Sequence, residues 1–264
     1  MPTTWEDATR AQYDDDTNLA ARQALFDYLT HSDPLPAPVG DMSLLAGQRV
    51  LDIGCGNGRF LGGAIDVGAQ AIGLDANVGI LRTSRQAVPT APLGVADAVA
   101  LPLADNSIDT VLALWMLYHV DDRPAALREF RRVLRPGGVV VATTNSGEHS
   151  ALGQLFCDAV AEVVGRSVDH WHAPLPFVTE NAVETLGSVF GDVDHHLYSN
   201  SFEVTEVEPV VRYVGSLGHE MQEYNGPFEL ADVLAAVGRR AEQEIALSGA
   251  VSMTVSRSVT IARA

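Results

Sequence analysis

The clearest pattern along the chain is the run from Gln48 to Ile53, closed by glycines at alternate positions, Gly54, Gly56 and Gly58, after which Phe60 and Leu61 resume helical spacing. Such a run, followed by glycines and a helical period, predicts a buried strand, a tight turn and a helix start. The alternation then repeats. Residues 69–75 read as a second strand ending on Asp75, 77–87 as a helix, and 92–97 as a third strand ending on Asp97. A fourth strand over 107–115, a helix over 122–134 and a fifth strand over 137–144 follow. Strands and helices that alternate through short links predict an α/β fold: a mostly parallel sheet with helices on both faces, receiving ligands outside the carboxyl ends of its strands.

Beyond residue 145 the pattern loosens. A helix is predicted over 149–164, a loop rich in proline and aromatics over 169–177, and a short helix over 179–190. Strand-like stretches at 192–198 and 252–264 are separated by helical segments over about 205–248. Leu19, Leu25, Phe26 and Leu29 form a helical stripe near the N-terminus, which predicts a cap over the sheet or the site.

Composition narrows the function. At 264 residues, 47% hydrophobic and 19% charged, the chain suits one large core, and no apolar run approaches the ~20 residues of a bilayer span. The opening 30 residues lack the basic start and apolar middle of a secretory signal, so a cytoplasmic protein is expected. The formal charge is −17 and all 17 basic residues are arginine. Residues 50–144 carry nine acids and eight bases, so the acidic excess lies in the flanks. That sign repels phosphate backbones and argues against nucleic acid or an anionic membrane as partner. Arg128, Arg131, Arg132 and Arg135 fall opposite Leu127, Phe130, Val133 and Leu134 on one helix and read as a solvated face. Cys55 and Cys157 make no disulfide framework, and no set of His, Cys, Asp and Glu has metal-ligand spacing, so no metal is expected.

The glycine turn offers free N–H groups at a helix start and lets a ligand approach the backbone closely. Its spacing is G-x-G-x-G, with Arg59 where the dinucleotide fingerprint has its third glycine. Together, "VLDIGCGNGRFL", "GLDAN", "VADAVALPLADNSIDTVLALWMLYHV" and "RVLRPGGVVVATT" resemble, in order and over roughly residues 45–145, a class I S-adenosylmethionine-dependent methyltransferase of the small-molecule type. The resemblance implies a Rossmann-like seven-stranded sheet whose last strand is antiparallel. It divides a single domain, 1–264, into an N-terminal helical cap (1–45), a cofactor-binding core (45–145) and a remainder with a helical substrate-side insertion (146–264).

It also implies S-adenosylmethionine as cofactor and assigns its site. Gly54, Cys55 and Gly56 would offer backbone to the methionine and ribose portions, with Asp52 near the ammonium. Asp75, with Ala76 beside it, would accept from the ribose hydroxyls. Asp97 would accept from the adenine amino group, and the Ala98 N–H would meet a ring nitrogen. Leu114 and Met116 would line the channel beside the sulfonium, and Tyr13 resembles an aromatic that some relatives fold over the cofactor.

His119, just past the fourth strand, is the candidate general base; a packed histidine that fixes its loop is the alternative. His170 and His172 flank Trp171 in a loop that could meet substrate, whereas His195 and His196 fall on opposite faces of a strand. The reading is methyl transfer to a small-molecule acceptor, with secondary metabolites in that class. An NAD-dependent oxidoreductase, which would share the turn and Asp75, and a catalytically silent cofactor-binding protein are the alternatives. Oligomeric state is not legible in the sequence.

Overall fold

The computed structural model describes residues 16–147, 151–170 and 175–264. Eight strands form one sheet: β1 (Leu29–Ser32), β2 (Arg49–Ile53), β3 (Gln70–Asp75), β4 (Leu93–Val95), β5 (Ile108–Leu114), β6 (Leu134–Asn145), β7 (Asp192–Val204) and β8 (Val251–Arg263). Their spatial order is β1-β7-β8-β6-β5-β2-β3-β4. Strands β2 to β6 pair in parallel, β8 runs antiparallel to both β6 and β7, and β1 pairs antiparallel with β7. The central parallel strands β2 and β5 are almost wholly buried, as crossover helices on both faces require.

The helices are α1 (Thr17–Gln23), α2 (Arg59–Asp66), α3 (Val78–Ala87), α4 (Arg123–Val133), α5 (Ala151–Val164), α6 (Ala182–Gly187), α7 (Val207–Gly215), α8 (Gly218–Asn225) and α9 (Leu230–Ser248). Leu127, Phe130 and Val133 of α4 and Leu186 of α6 bury against Leu51, Val111 and Val140 on one face. Leu61 and Ala64 of α2 bury with Val50, Leu112 and Val141 on the other. A further core joins Phe156 and Val160 of α5, Val210 and Val214 of α7 and Val233 and Val237 of α9 to Phe202, Val251 and Met253. Strands β7 and β8 reach far enough to carry this helical layer beyond the end of the parallel sheet.

The antiparallel last strand matches expectation, and the eighth strand adds to it. Leu29 opens β1 rather than continuing a helix: all four β1 residues are exposed, so no apolar alternation marked them. Polar bonds tie β1 and the residue after it to β7 instead. Asp33 Oδ2 accepts from the Ser199 N–H at 2.8 Å and from its hydroxyl at 2.7 Å, and Asn200 Nδ2 donates to Ser32 Oγ at 2.8 Å. The predicted strand at 192–198 extends to Val204, and the 205–248 segment resolves into α7, α8 and α9. The predicted helix over 179–190 is a 3-10 turn followed by α6, ending at Gly187.

The four-arginine face is only partly solvated. Arg132, 31% exposed, donates to the Leu101 and Leu103 carbonyls at 3.0 and 2.8 Å and pairs with Asp105 and Glu129, each at 2.7 Å. Glu129 Oε2 in turn accepts from the Leu101 N–H at 2.8 Å. Arg135 pairs with Asp109 at 2.6 Å. Arg132 and Glu129 thereby clamp α4 to the loop that follows Asp97. Arg132→Ala is expected to lower stability by about 1–2 kcal/mol, since it strips two carbonyls and a half-buried carboxylate of a charged donor. Thermal unfolding checks this; an unchanged melting temperature would show that the clamp contributes nothing.

Candidate functional site: a cavity at the carboxyl edge of the sheet

The carboxyl ends of β2, β3, β5 and β6 open into one cavity of about 940 Å³. Its floor is the glycine loop between β2 and α2. Gly54, Gly56 and Gly58 all have positive φ, at 69°, 54° and 82°, where a side chain is strained. They serve different ends. A Cβ on Gly54 would come within 2.7 Å of Met116 Cβ, and one on Gly58 within 3.1 Å of Ser84 Oγ, so these two permit packing. A Cβ on Gly56 would meet nothing closer than 3.7 Å and would stand in the cavity itself.

Asp75 holds this loop from the side. Its Oδ2 accepts from the Gly56 N–H and its Oδ1 from the Asn77 N–H, both at 2.9 Å, which leaves lone pairs on each oxygen for a ligand's hydroxyls. Burial raises its pKa, and the backbone N–H groups of Asn77 and Gly56 oppose the rise. Ser84 of α3, fully buried, donates to the Gly56 carbonyl from beneath. Ser84 had no signal in the sequence beyond being a polar residue inside a helix.

Asp75, Ala76, Gly54, Cys55 and Gly56 all line the cavity. So do Asp97 and Ala98 at the end of β4, and Leu114 and Met116 at the end of β5. Asp97 Oδ1 accepts from the Val99 N–H at 3.0 Å, which closes a tight turn and leaves Ala98 on the wall. Between Leu114 and Met116, Trp115 takes a positive φ of 53°. Its N–H donates to Thr143 Oγ1 at 2.9 Å, and its ring stacks on Phe60 at 5.7 Å. A bulky residue held in that conformation marks a junction its surroundings over-determine.

Asp52 departs from expectation: it is not on the cavity wall. Strand parity turns it to the face that α2 covers, where it is 2% exposed, and Oδ2 is buried without a hydrogen bond among the described residues. Burial first, then the Asp75 charge, pushes its pKa up to about 8. Asp52 therefore holds its proton at neutral pH and acts beneath the loop, away from any ammonium in the cavity. Burial likewise pushes the Cys55 thiol far above its usual range, which leaves it inert.

His119 does line the cavity, at the end of the 3-10 turn Leu117–His119, with the Tyr118 ring 4.4 Å away. Burial, and secondarily the charge of Arg22, lower its pKa to about 3. A histidine held neutral so firmly is a weak base, which works against the general-base role expected from the sequence. His170 reaches the cavity, and Tyr13, Trp171 and His172 lie outside the described residues. Neither His195 nor His196 lines it; His195 Nδ1 bonds Thr260 Oγ1 at 2.9 Å.

The far half of the cavity was not anticipated. Leu25, Phe26, Leu152, Phe156, Phe202 and Met253 make it apolar, and Tyr118, Tyr198, Asn145, Asn200 and Arg257 add polar atoms. A second hollow, about 520 Å³ at the opposite ends of the strands, has Arg49 as its one ionisable lining residue among those described.

The residues present fit S-adenosylmethionine. The cradle that a Cβ on Gly56 would fill, a carboxylate with spare lone pairs at Asp75 and the turn at Asp97–Ala98 suit an amino-acid, ribose and adenine ligand, and Gly54 to Gly56, Asp75, Ala76, Asp97 and Ala98 would hold it.

Comparison with known proteins bears on the family and the fold. Residues 51–142 match the family described as "Methyltransferase domain". A demethylmenaquinone methyltransferase of Renibacterium salmoninarum is 37% identical over 103 residues, covering 39% of this chain and 44% of that one. The methyltransferase GfsG of Streptomyces halstedii is 34% identical over 142 residues, 49% of this chain and 50% of that one. The chain thus spans about half the length, or less, of these curated relatives. Among solved structures, the [4+2]-cyclase SpnF superposes with a TM-score of 0.57 at 20% identity, over 98% of this chain and 96% of that one. An N-methyltransferase of Haemonchus contortus, in complex with phosphomonomethylethanolamine and S-adenosylhomocysteine, gives 0.54 at 20% identity over 99% of this chain and 60% of that one. At such identity these structures speak to the fold and not to the reaction. Residues 51–142 thus match a methyltransferase domain, and the fold built around them is shared with solved methyltransferase structures.

Proposed function

We propose that the protein transfers a methyl group from S-adenosylmethionine to a small-molecule acceptor, in a class that includes secondary metabolites. The observation that carries this reading is continuity. One cavity runs from the glycine loop, Asp75 and Asp97 past Leu114 and Met116 into the apolar chamber beneath α5 and α7. Its volume of about 940 Å³ is near the top of the usual range for ligand sites, so room remains beyond a donor seated at the loop. The curated relatives named as methyltransferases support the reaction class.

When bound, S-adenosylmethionine supplies a methyl group already activated on a sulfonium. The chain's task is alignment and exclusion of water, and positioning of this kind can lower a barrier by up to ~7–11 kcal/mol. Gly54 to Gly56 and Asp75 fix one reactant from the floor. Leu114 and Met116, both nearly buried, make an apolar collar where the two reactants would meet. Phe26, Phe156 and Phe202 enclose the acceptor side. His119, held neutral, contributes a hydrogen-bonding wall and not a proton acceptor.

Calorimetry with S-adenosylhomocysteine and with NAD separates this reading from an oxidoreductase: the first should bind and the second should not. Asp75→Ala should weaken S-adenosylhomocysteine by about 1–3 kcal/mol, since buried hydroxyls lose a charged acceptor. Unchanged affinity in the folded variant would remove Asp75 from the site.

Gly56→Val should abolish binding, whereas Gly47→Val should not. Gly47 shares the positive φ, at 73°, but a Cβ there has open space around it, so it reports backbone strain alone. Equal affinities for the two variants would make the loop structural.

Methyl transfer assayed against a panel of small-molecule acceptors distinguishes an enzyme from a silent binder. With any acceptor found, His119→Ala should leave the shape of the pH-rate profile unchanged near neutrality, because a group with a pKa of about 3 does not titrate there. Loss of an ionisation near pH 7, with a fall of roughly 10²–10⁴ in turnover, would instead restore His119 as a general base.

A further inference from the structure

Asn145, Arg257 and Tyr198 stand abreast on β6, β8 and β7: Asn145 pairs in register with Arg257, and Arg257 with Tyr198. Asn200, two residues along β7, completes the group, and all four line the cavity. Arg257 Nε donates to Asn145 Oδ1 at 3.2 Å and its Nη1 to Asn200 Oδ1. Asn200 is 4% exposed and its amide donates to Ser32 Oγ at 2.8 Å, so its oxygen is committed to the arginine. The Phe26 ring lies 5.4 Å from the guanidinium carbon. No carboxylate pairs with Arg257 among the described residues.

A guanidinium has five N–H donors, and these two bonds engage only part of the fork. A largely buried cation left with amide partners alone is costly unless something in the cavity compensates it. Burial indeed lowers the Arg257 pKa, against the pull of the surrounding tyrosines. Among the described residues the cavity's acidic lining is Asp75 and Asp97, both at the glycine-loop end, against three arginines: Arg22, which donates to the Ser216 carbonyl at 2.9 Å, Arg59 beside the glycine loop, and Arg257 in the far half. In a chain with a formal charge of −17, that local reversal of sign favours an anionic guest.

We propose that Arg257, oriented by Asn145 and Asn200, is the recognition site for a carboxylate borne by an otherwise apolar methyl acceptor. The inference rests on the methyl-transfer reading for the word acceptor, but not for the carboxylate site. A planar carboxylate can accept from Nη2, which has no hydrogen bond among the described residues, and from the second hydrogen of Nη1. The apolar body would lie against Phe26, Phe156 and Met253. Strand β8 is separated from β5 by β6 alone, which sets the carboxylate roughly 10 Å across the sheet from the Leu114–Met116 collar. That spacing favours an acceptor whose carboxylate is remote from the atom that is methylated.

The test compares phenylacetate with phenylacetamide, equal in shape and different in charge, by titration into the protein with and without S-adenosylhomocysteine. Phenylacetate should bind about ten- to a hundredfold more tightly than the amide, the factor a charge-assisted hydrogen bond supplies. Arg257→Gln should erase that preference while leaving S-adenosylhomocysteine affinity unchanged. Arg257→Lys, which keeps the charge and loses the fork, should retain a reduced preference and serves if the glutamine variant does not fold. Equal binding of the two probes, binding of neither, or a preference that survives in Arg257→Gln would overturn the proposal. Failure of S-adenosylhomocysteine to bind would count against the donor reading alone, because the probe comparison in its absence still stands or falls on Arg257.

Discussion

The site depends on one constraint: a glycine loop forced into a left-handed path must be held there by something other than its own side chains. Asp75 supplies the hold by accepting from the Gly56 N–H, and Ser84 secures the same residue's carbonyl from the opposite side. Each carboxylate oxygen of Asp75 spends one bond on backbone, so the residue fixes the loop and still faces the cavity with acceptor capacity. The loop is therefore shaped before a ligand arrives, which lowers the ordering cost of binding. Asp52, buried beneath it and kept protonated by burial and by Asp75, places a neutral group where a second negative charge would repel the first.

The second half of the cavity has a different origin. Parallel strands can end in a ligand site, but they offer only their carboxyl edge. Here β7 and β8, thirteen residues each, run past that edge and carry α5, α7 and α9 with them. Their overhang turns an open crevice into a chamber with apolar walls. It also brings three polar side chains from three strands onto one face, so the same antiparallel pair that encloses the chamber furnishes its charged group.

What could be read from the sequence followed the range of the interactions involved. The strand, turn and helix at 50–61, Asp75 at the end of β3 and the alternation through 145 are local patterns, and the structure places them as read, whereas Asp97 falls in the turn two residues past β4. Strand β1 had no apolar signal because its tie to β7 is made by Asp33, Ser32 and Asn200. The polar group at Arg257 was hidden because its partners lie 112 and 57 residues away in the chain. Residue type and position suggested a proton acceptor at His119, and the family resemblance implied an ammonium partner at Asp52. Burial, which no local pattern reports, kept the first neutral, and strand parity turned the second away from the cavity.

The central claim is that one preformed cavity seats the donor at the glycine loop and leaves the chamber beyond Leu114 and Met116 for the acceptor. A crystal structure of the protein with S-adenosylhomocysteine tests it most directly. The account predicts the ribose hydroxyls on Asp75, the adenine against Asp97 and Ala98, the sulfur beside Leu114 and Met116, and the chamber near Arg257 still open. A ligand seated elsewhere in the cavity, or a glycine loop rebuilt to receive it, would contradict the account.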